Sequence, residues 1–524
     1  MNKSAKILGI AGLCILGACG QDRSPVTGWN YNDPKNGGFE TNPYAGQETG
    51  PGLVFIEGGT FTMGRIQDDV MGDWNNVPRR VTVSSFYMDE TEVTNTDYRE
   101  YLYWTFRVFG PNYPQIYVKA LPDTLVWRSK LAFMDDMVKY YFRHPSYQDY
   151  PVVGIDWLQA SDYCKWRTDR VNEFILVREG IIDWSPSPSD QDYFNTEEYL
   201  AGKWQGKTKV PLPDYNPSNS SNGNNAGRNV KIEDGIFLPD YRLPTEAEWE
   251  FAALGLIGNT QNELVSQRRI YPWNGHATRN PDEKYIGQEL ANFKKGAGDY
   301  MGVAGALNDA ADITSPVFSY WPNDYGLYGM AGNVSEWVMD VYRPMMPYDG
   351  DDLRSFRGNQ YSTQVKDQDG IVVNQDSVQY QAVTDPSGAI DSDIVNIPGQ
   401  VKYRPVDNQH KEDNLAFRRN YHESDQVNYL DGDPNSSEAT ENWNQVGTGA
   451  AQSKTLMYET GTTTLISDVT RVFKGGSWKD EAFWMSPGTR RYLDEHQATD
   501  YIGFRCAMSR LGSPVGVAKS GGRY

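Results

Sequence analysis

Apolar and polar residues alternate over short distances where the organised part of the chain begins. Leu53 to Ile56, Gly59 to Met63 and the run from Arg80 to Glu92 read as short strands separated by glycine turns. A helix is predicted from Thr94, whose hydroxyl can cap it with Asp97 three residues on. Helical period returns over Asp156 to Trp166, with Trp157, Ala160, Cys164 and Trp166 near one face. Pro244, Glu246 and Glu248 mark another helix start, because a first turn favours proline and acids. From Arg471 to Arg510 the chain is again strand-like and punctuated by glycine. Between these stretches lie polar insertions, one holding an Asn/Ser/Gly-rich run at 216–229 that cannot bury a core. The elements are short and no fixed-period repeat is visible, which disfavours a propeller or solenoid. The pattern predicts an irregular α+β fold with little regular secondary structure and long insertions.

The first residues follow a different pattern. Lys3 and Lys6 precede an apolar run from Ile7 to Leu16, and Leu16-Gly17-Ala18-Cys19 ends it. This is the layout of an export signal over 1–18, closed by the motif at which a bacterial lipoprotein is cleaved and acylated on Cys19. An ordinary secretion signal with a chance cysteine is the plainer alternative. The run is too short to span a bilayer, and no later segment approaches that length. Several acyl chains on one cysteine anchor durably, since each buried methylene adds about 0.8 kcal/mol. Gly20 is not an acidic retention signal, so the expected location is the outer membrane. Residues 19–52, poor in apolar side chains, read as a flexible tether.

A net charge of −20 argues against nucleic acid as a partner and against electrostatic attachment to anionic lipid. Fifteen Trp and 34 Tyr are many for a chain of mean hydropathy −0.65. They suit interfaces and carbohydrate stacking, or equally an irregular core. Length allows two or three domains. Motif order favours one domain over 53–510, with insertions at about 100–150, 171–238 and 345–469 and a tail at 511–524.

Seven motifs occur in order: FIEGGTFTMG (55–64), DETEVTN (89–95), YPVVGIDWLQASDYCKW (150–166), YRLPTEAEWEFAA (241–253), YGLYGMAGNVSEWVMD (325–340), RVFKGGSW (471–478) and IGFRCA (502–507). Together they resemble the formylglycine-generating-enzyme/sulfatase-modifying-factor domain, which implies a C-type-lectin-like fold. Within that family the chain is similar to the gliding-motility and type IX secretion lipoproteins of the Bacteroidota, the J type above all. That likeness rests on the lipoprotein motif, TGWNYNDPKNGGFE (27–40), DWNNVPRRVTVSSFYMDETEVTN (73–95), ALPDTLVWRSKLAF (120–133), YFRHPSYQDYPVVG (141–154) and DYCKWRTDRVNEF (162–174).

The resemblance carries a chemistry that this chain lacks. Enzymes of the family use two cysteines after the GGS motif for copper-supported oxidation, and counting from Gly475 puts Asp480 and Met485 in their places. A thiolate is needed for exchange with a substrate thiol, and neither a carboxylate nor a thioether can take over that exchange. A pseudoenzyme is expected, with no copper. Iron-dependent relatives need a histidine cluster, but His144, His276, His410, His422 and His496 are scattered.

By the same resemblance Cys164 and Cys506 would form a structural disulfide; two buried free thiols are the alternative. Two structural calcium sites are implied. One would use the Asn292 side chain, the Phe293 carbonyl, Asp309 and the Ala311 carbonyl. The other would use the Gly332 and Val334 carbonyls and Glu336, with Gly329 where the enzymes have an asparagine. Such oxygen mixtures suit calcium. The expected function is a lipid-anchored, periplasm-facing scaffold whose partners are other gliding and type IX secretion lipoproteins and ring proteins. A glycan- or peptidoglycan-binding module and an enzyme of unrecognised type are the rivals.

Overall fold

Strand β1 (Leu53–Ile56) pairs antiparallel with β4 (Phe86–Asp89), Leu53 opposite Asp89. The computed structural model describes residues 23–44, 46–65, 75–128, 134–217, 227–260, 262–265, 269–295, 313–344, 360–375, 379–384, 390–406 and 464–512. Strand β14 (Ala507–Ser509) lies between β4 and β5 (Tyr241–Arg242), so one sheet has the order β1-β4-β14-β5. A second sheet runs β12 (Arg491–Asp494), β11 (Thr470–Lys474), β6 (Ser335–Val341), β13 (Ile502–Gly503), with β13 parallel to β6. Hairpin β2–β3 (Gly59–Met63 and Arg79–Val83) stands beside them. The last insertion contributes β7 (Ser362–Gln364) paired with β10 (Tyr403–Pro405), and β8 (Gln379–Thr384) paired with β9 (Ile390–Asn396).

Helix α1 (Asn95–Phe109) begins as the sequence predicts. Thr94 and Asp97 form a reciprocal capping box, and Tyr98, Tyr101, Leu102, Thr105, Val108 and Phe109 make its buried face. Short helices α2 (Pro114–Ala120), α3 (Asp135–Tyr140) and α5 (Thr196–Leu200) occupy the insertions. Helix α4 (Trp157–Arg178) continues well past the predicted stretch. Helix α6 (Glu246–Leu254) is capped by a Thr245–Glu248 box and stopped by Gly255 in the left-handed region. Nine residues are too few for a stable helix in isolation. Packing supplies the rest: Trp249 and Phe251 meet Phe61, Met88, Val338, Val472 and Ala507 from both sheets and the hairpin. Burying each large side chain contributes about 1.5–3 kcal/mol.

Two compact units divide the chain. One comprises Gln47–Asn172, Pro186–Gln205 and Leu238–Tyr524; the other comprises Met1–Gly46, Glu173–Ser185 and Gly206–Phe237. Over residues 23–44, the segment expected to be an extended tether is folded into the smaller unit. Arg23 bridges to Asn30, and Asp33 caps a turn at Pro34–Asn36. Glu40 pairs with Arg228 at 2.7 Å, and Asn42 bonds Asp234 at 2.7 Å. An ion pair and a hydrogen bond between segments nearly two hundred residues apart hold the polar stretch, and its composition gave no sign of them. No helix among the described residues is long and apolar enough to cross a membrane.

Candidate functional site

Strand β11 delivers the chain to Gly475-Gly476, both in the left-handed region, with φ of +97° and +69°. A side chain at Gly475 would meet the Trp249 ring at 3.1 Å, so the turn needs glycine on two counts. The Gly332 amide donates to the Gly475 carbonyl and the Trp478 amide to the Asn333 carbonyl, both at 2.9 Å. This turn therefore sits against the GNVSEW segment.

The two positions matching the enzymes' cysteines are built into the frame. Asp480 accepts from Arg491 Nη1 on Oδ1 at 2.6 Å and from Nη2 on Oδ2 at 2.7 Å, and the Ser477 hydroxyl also donates to it. Arg491 itself lies between the Phe473 and Trp484 rings, 4.7 and 4.8 Å from their centroids, and donates to Ser335 Oγ. Met485 is fully buried and packs with Tyr271, Ala291, Phe293 and Ala331. A carboxylate bonded on both oxygens and a thioether closed off from solvent leave no nucleophile at this point.

Cys164 and Cys506 do come together. Their sulfurs are 3.4 Å apart and both residues are buried, unbonded as free thiols in this structure. The Cys506 backbone N–H donates to Asp89, which Arg167 holds with two bonds of 2.8 and 2.9 Å.

The expected second calcium set does not form around Glu336. Both of its oxygens accept from Arg505, at 2.6 and 2.7 Å, and Trp249 Nε1 donates to it at 2.8 Å. A fully buried guanidinium already neutralises this carboxylate and would repel a second cation. Gly332 and Val334 lie in the adjoining turn, with Gly332 against the backbone of Asn292. In the first set, buried Asn292 donates through Nδ2 to the Ile313 carbonyl at 2.6 Å. Its Oδ1 is buried with no hydrogen-bond partner among the described residues, as a ligand oxygen of a cation site would be. Phe293 is buried beside it, while Asp309 and Ala311 lie outside the described residues.

Sequence reasoning missed Glu92. This carboxyl is buried, and its Oε1 accepts from Asn333 Nδ2 at 3.0 Å. Burial pushes it up to about 7, with Arg505 pulling the other way and Glu336 adding to the rise. A side chain at Gly329, which has φ of +66°, would fall 2.3 Å from Glu92 Oε1. Glu92 thus fills the space beside the position where the enzymes carry asparagine. Asp169 and Glu198 are also raised to about 7, burial being the main cause in each. Both are held by local bonds, Asp169 by the Thr196 amide and Glu198 by Asn374. Among the described residues, no group of three or more His, Cys, Asp or Glu could hold a metal.

Residues 38–384 match the sulfatase-modifying factor enzyme 1-like domain, and the chain belongs to that family. It is 26% identical over 320 residues to the mouse formylglycine-generating enzyme, covering 59% of this chain and 66% of that one, just under two thirds of the enzyme's length. It is 25% identical over 331 residues to the mouse inactive C-alpha-formylglycine-generating enzyme 2, covering 60% and 75% respectively. Among solved structures it is similar to PvdO from Pseudomonas aeruginosa, at 15% identity and a TM-score of 0.38 over 87% of this chain and 94% of that one. At that score the likeness decides nothing further. Relatives of both kinds, enzymes and an inactive protein, lie at similar distance, so the site must choose between them.

Proposed function

We propose that the chain is a non-catalytic lipoprotein, held by acyl chains on Cys19 at the outer membrane and facing the periplasm. It would serve as a structural component of the gliding motility and type IX secretion machinery. The observation that carries the non-catalytic part is the pair of replaced cysteines: Asp480 is tied to Arg491 and Met485 is sealed in the core. The inactive mouse relative supports the idea that this family tolerates loss of its chemistry. The secretion and motility assignment rests on the motifs of the sequence. Its partners would be lipoproteins of the same domain family and ring proteins, met through the insertions, because loops diversify while a scaffold holds.

A disulfide between Cys164 and Cys506 belongs to this reading, and envelope conditions permit it. So does calcium at Asn292 and Phe293 with Asp309 and Ala311, bracing the loop; copper has no place in it. Affinity purification of the tagged protein from detergent-solubilised envelopes tests the assignment. Stoichiometric co-elution of other secretion or motility lipoproteins is expected, and recovery of the protein alone across mild detergents would refute it. Conversion of a cysteine-containing peptide to formylglycine by the copper-treated protein would refute the loss of catalysis.

One observation favours the glycan-binding rival. A shallow cleft is lined by Trp273, Tyr320, Trp321, Asn323 and their neighbours, with no charged side chain. Half-exposed Trp321 offers a ring face to a neutral sugar. Saturable binding to purified cell wall that is lost in Trp321→Ala would move the assignment to that class.

A further inference from the structure

Described structure begins only four residues beyond Cys19. Arg23 is already bridged to Asn30, with its Nε donating to Asn30 Oδ1 at 3.1 Å. Four residues reach at most about 14 Å, whatever path they take. If Cys19 carries the acyl chains, this hairpin cannot leave the bilayer surface. What it presents there is unusual for a chain of net charge −20: from Ser24 to Asn32 there is no charged residue. Val26 at the tip is 90% exposed, Trp29 is 62% exposed and Phe39, on the adjoining segment, is 66% exposed.

The tip is also prepared for a medium of low polarity. Ser24 Oγ accepts from the amides of Val26 and Thr27, at 3.2 and 3.0 Å. The Gly28 amide donates to the Ser24 carbonyl and the Ser24 amide to the Trp29 carbonyl, both at 2.9 Å. Consecutive backbone donors at the tip are thus satisfied within the turn, and leaving water costs them little. An acidic protein gains nothing from anionic headgroups, so contact with lipid has to come from apolar and aromatic surface.

We propose that the Arg23–Asn30 hairpin is a membrane-docking element, with Val26, Trp29 and Phe39 seated among the headgroups of the bilayer that carries the anchor. This rests on the acylation of Cys19. The smaller unit then lies on the membrane, where the sequence had suggested a tether lifting the domain away. Trp29 acts as the interfacial aromatic, its ring apolar and its N–H facing water.

The test uses the full acylated protein in phosphatidylethanolamine/phosphatidylglycerol vesicles. Val26→Cys carries an environment-sensitive fluorophore; Cys164 and Cys506 are buried and Cys19 is blocked by acylation, so one site is labelled. Several-fold brighter, blue-shifted emission, largely quenched by lipids bearing a nitroxide just below the headgroup, is expected. The same label at exposed Ile257 gives the reference. Protein that floats with the vesicles while its label stays water-like and unquenched overturns the docking and leaves the anchor standing. Protein that does not float overturns the anchor, and the docking with it.

Discussion

Arg491 grips Asp480 through two parallel bonds, one to each carboxylate oxygen, within a slot between Phe473 and Trp484. Planar guanidinium and carboxylate suit each other in this arrangement. Where the family resemblance places a reactive thiol, this protein has a clamp between the GGS turn and strand β12. Asp480→Ala leaves Arg491 partly buried with Ser335 as its other side-chain hydrogen-bond partner. A loss of about 1–3 kcal/mol is expected in urea unfolding. An unchanged midpoint would show that the clamp is incidental.

Glu92 makes stability depend on pH in an unusual direction. Its folded value, about 7, lies above the ordinary 4.5, so the folded protein keeps a proton that the unfolded chain releases. Stability therefore falls as pH rises from about 4.5 through 7. Glu92→Gln cannot ionise and keeps the oxygen that accepts from Asn333. Melting curves should match wild type near pH 4.5 and lie above it by pH 8, with the gap opening between those values. A constant gap across the range would mean that Glu92 does not titrate in this window.

Gly329 and Glu92 should behave as a coupled pair. Gly329→Ala places a methyl 2.3 Å from Glu92 Oε1 on left-handed backbone. The backbone alone costs about 1–2 kcal/mol, and the clash adds to it. In a Glu92→Ala background the clash disappears and only the backbone cost remains. A double-mutant cycle with no coupling energy would contradict this geometry.

The thiol pair gives a redox prediction. Protein taken from the envelope and unfolded without reductant should show neither Cys164 nor Cys506 to a thiol reagent, and both after reduction. Their 342-residue separation makes the closed loop long. Reduction should then cost on the order of 5 kcal/mol. Labelling of both before reduction would establish them as free thiols.

Local signals in the sequence translated well. The Thr94–Asp97 box, the alternation over 59–63 and the acids ahead of Trp249 each act within one turn or one strand, where neighbours in sequence are neighbours in space. The family resemblance pointed to Asp480, Met485 and Glu336 but not to what holds them. Arg505 is 169 residues from Glu336, and Glu92 is 241 from Asn333. Pairings at that range follow from topology, which periodicity does not encode. The expected tether failed for the same reason, since Glu40 looks solvated until Arg228 is seen beside it.

Strand β14 sits in the middle of its sheet, with Ala507 opposite Met88 on one side and Arg242 on the other. A chain still emerging from a ribosome can pair β1 with β4 but has nothing to join β5 to them. That sheet therefore completes only once residues 507–509 have been made. A truncation before residue 507 should leave β4 and β5 unjoined and the sheet incomplete.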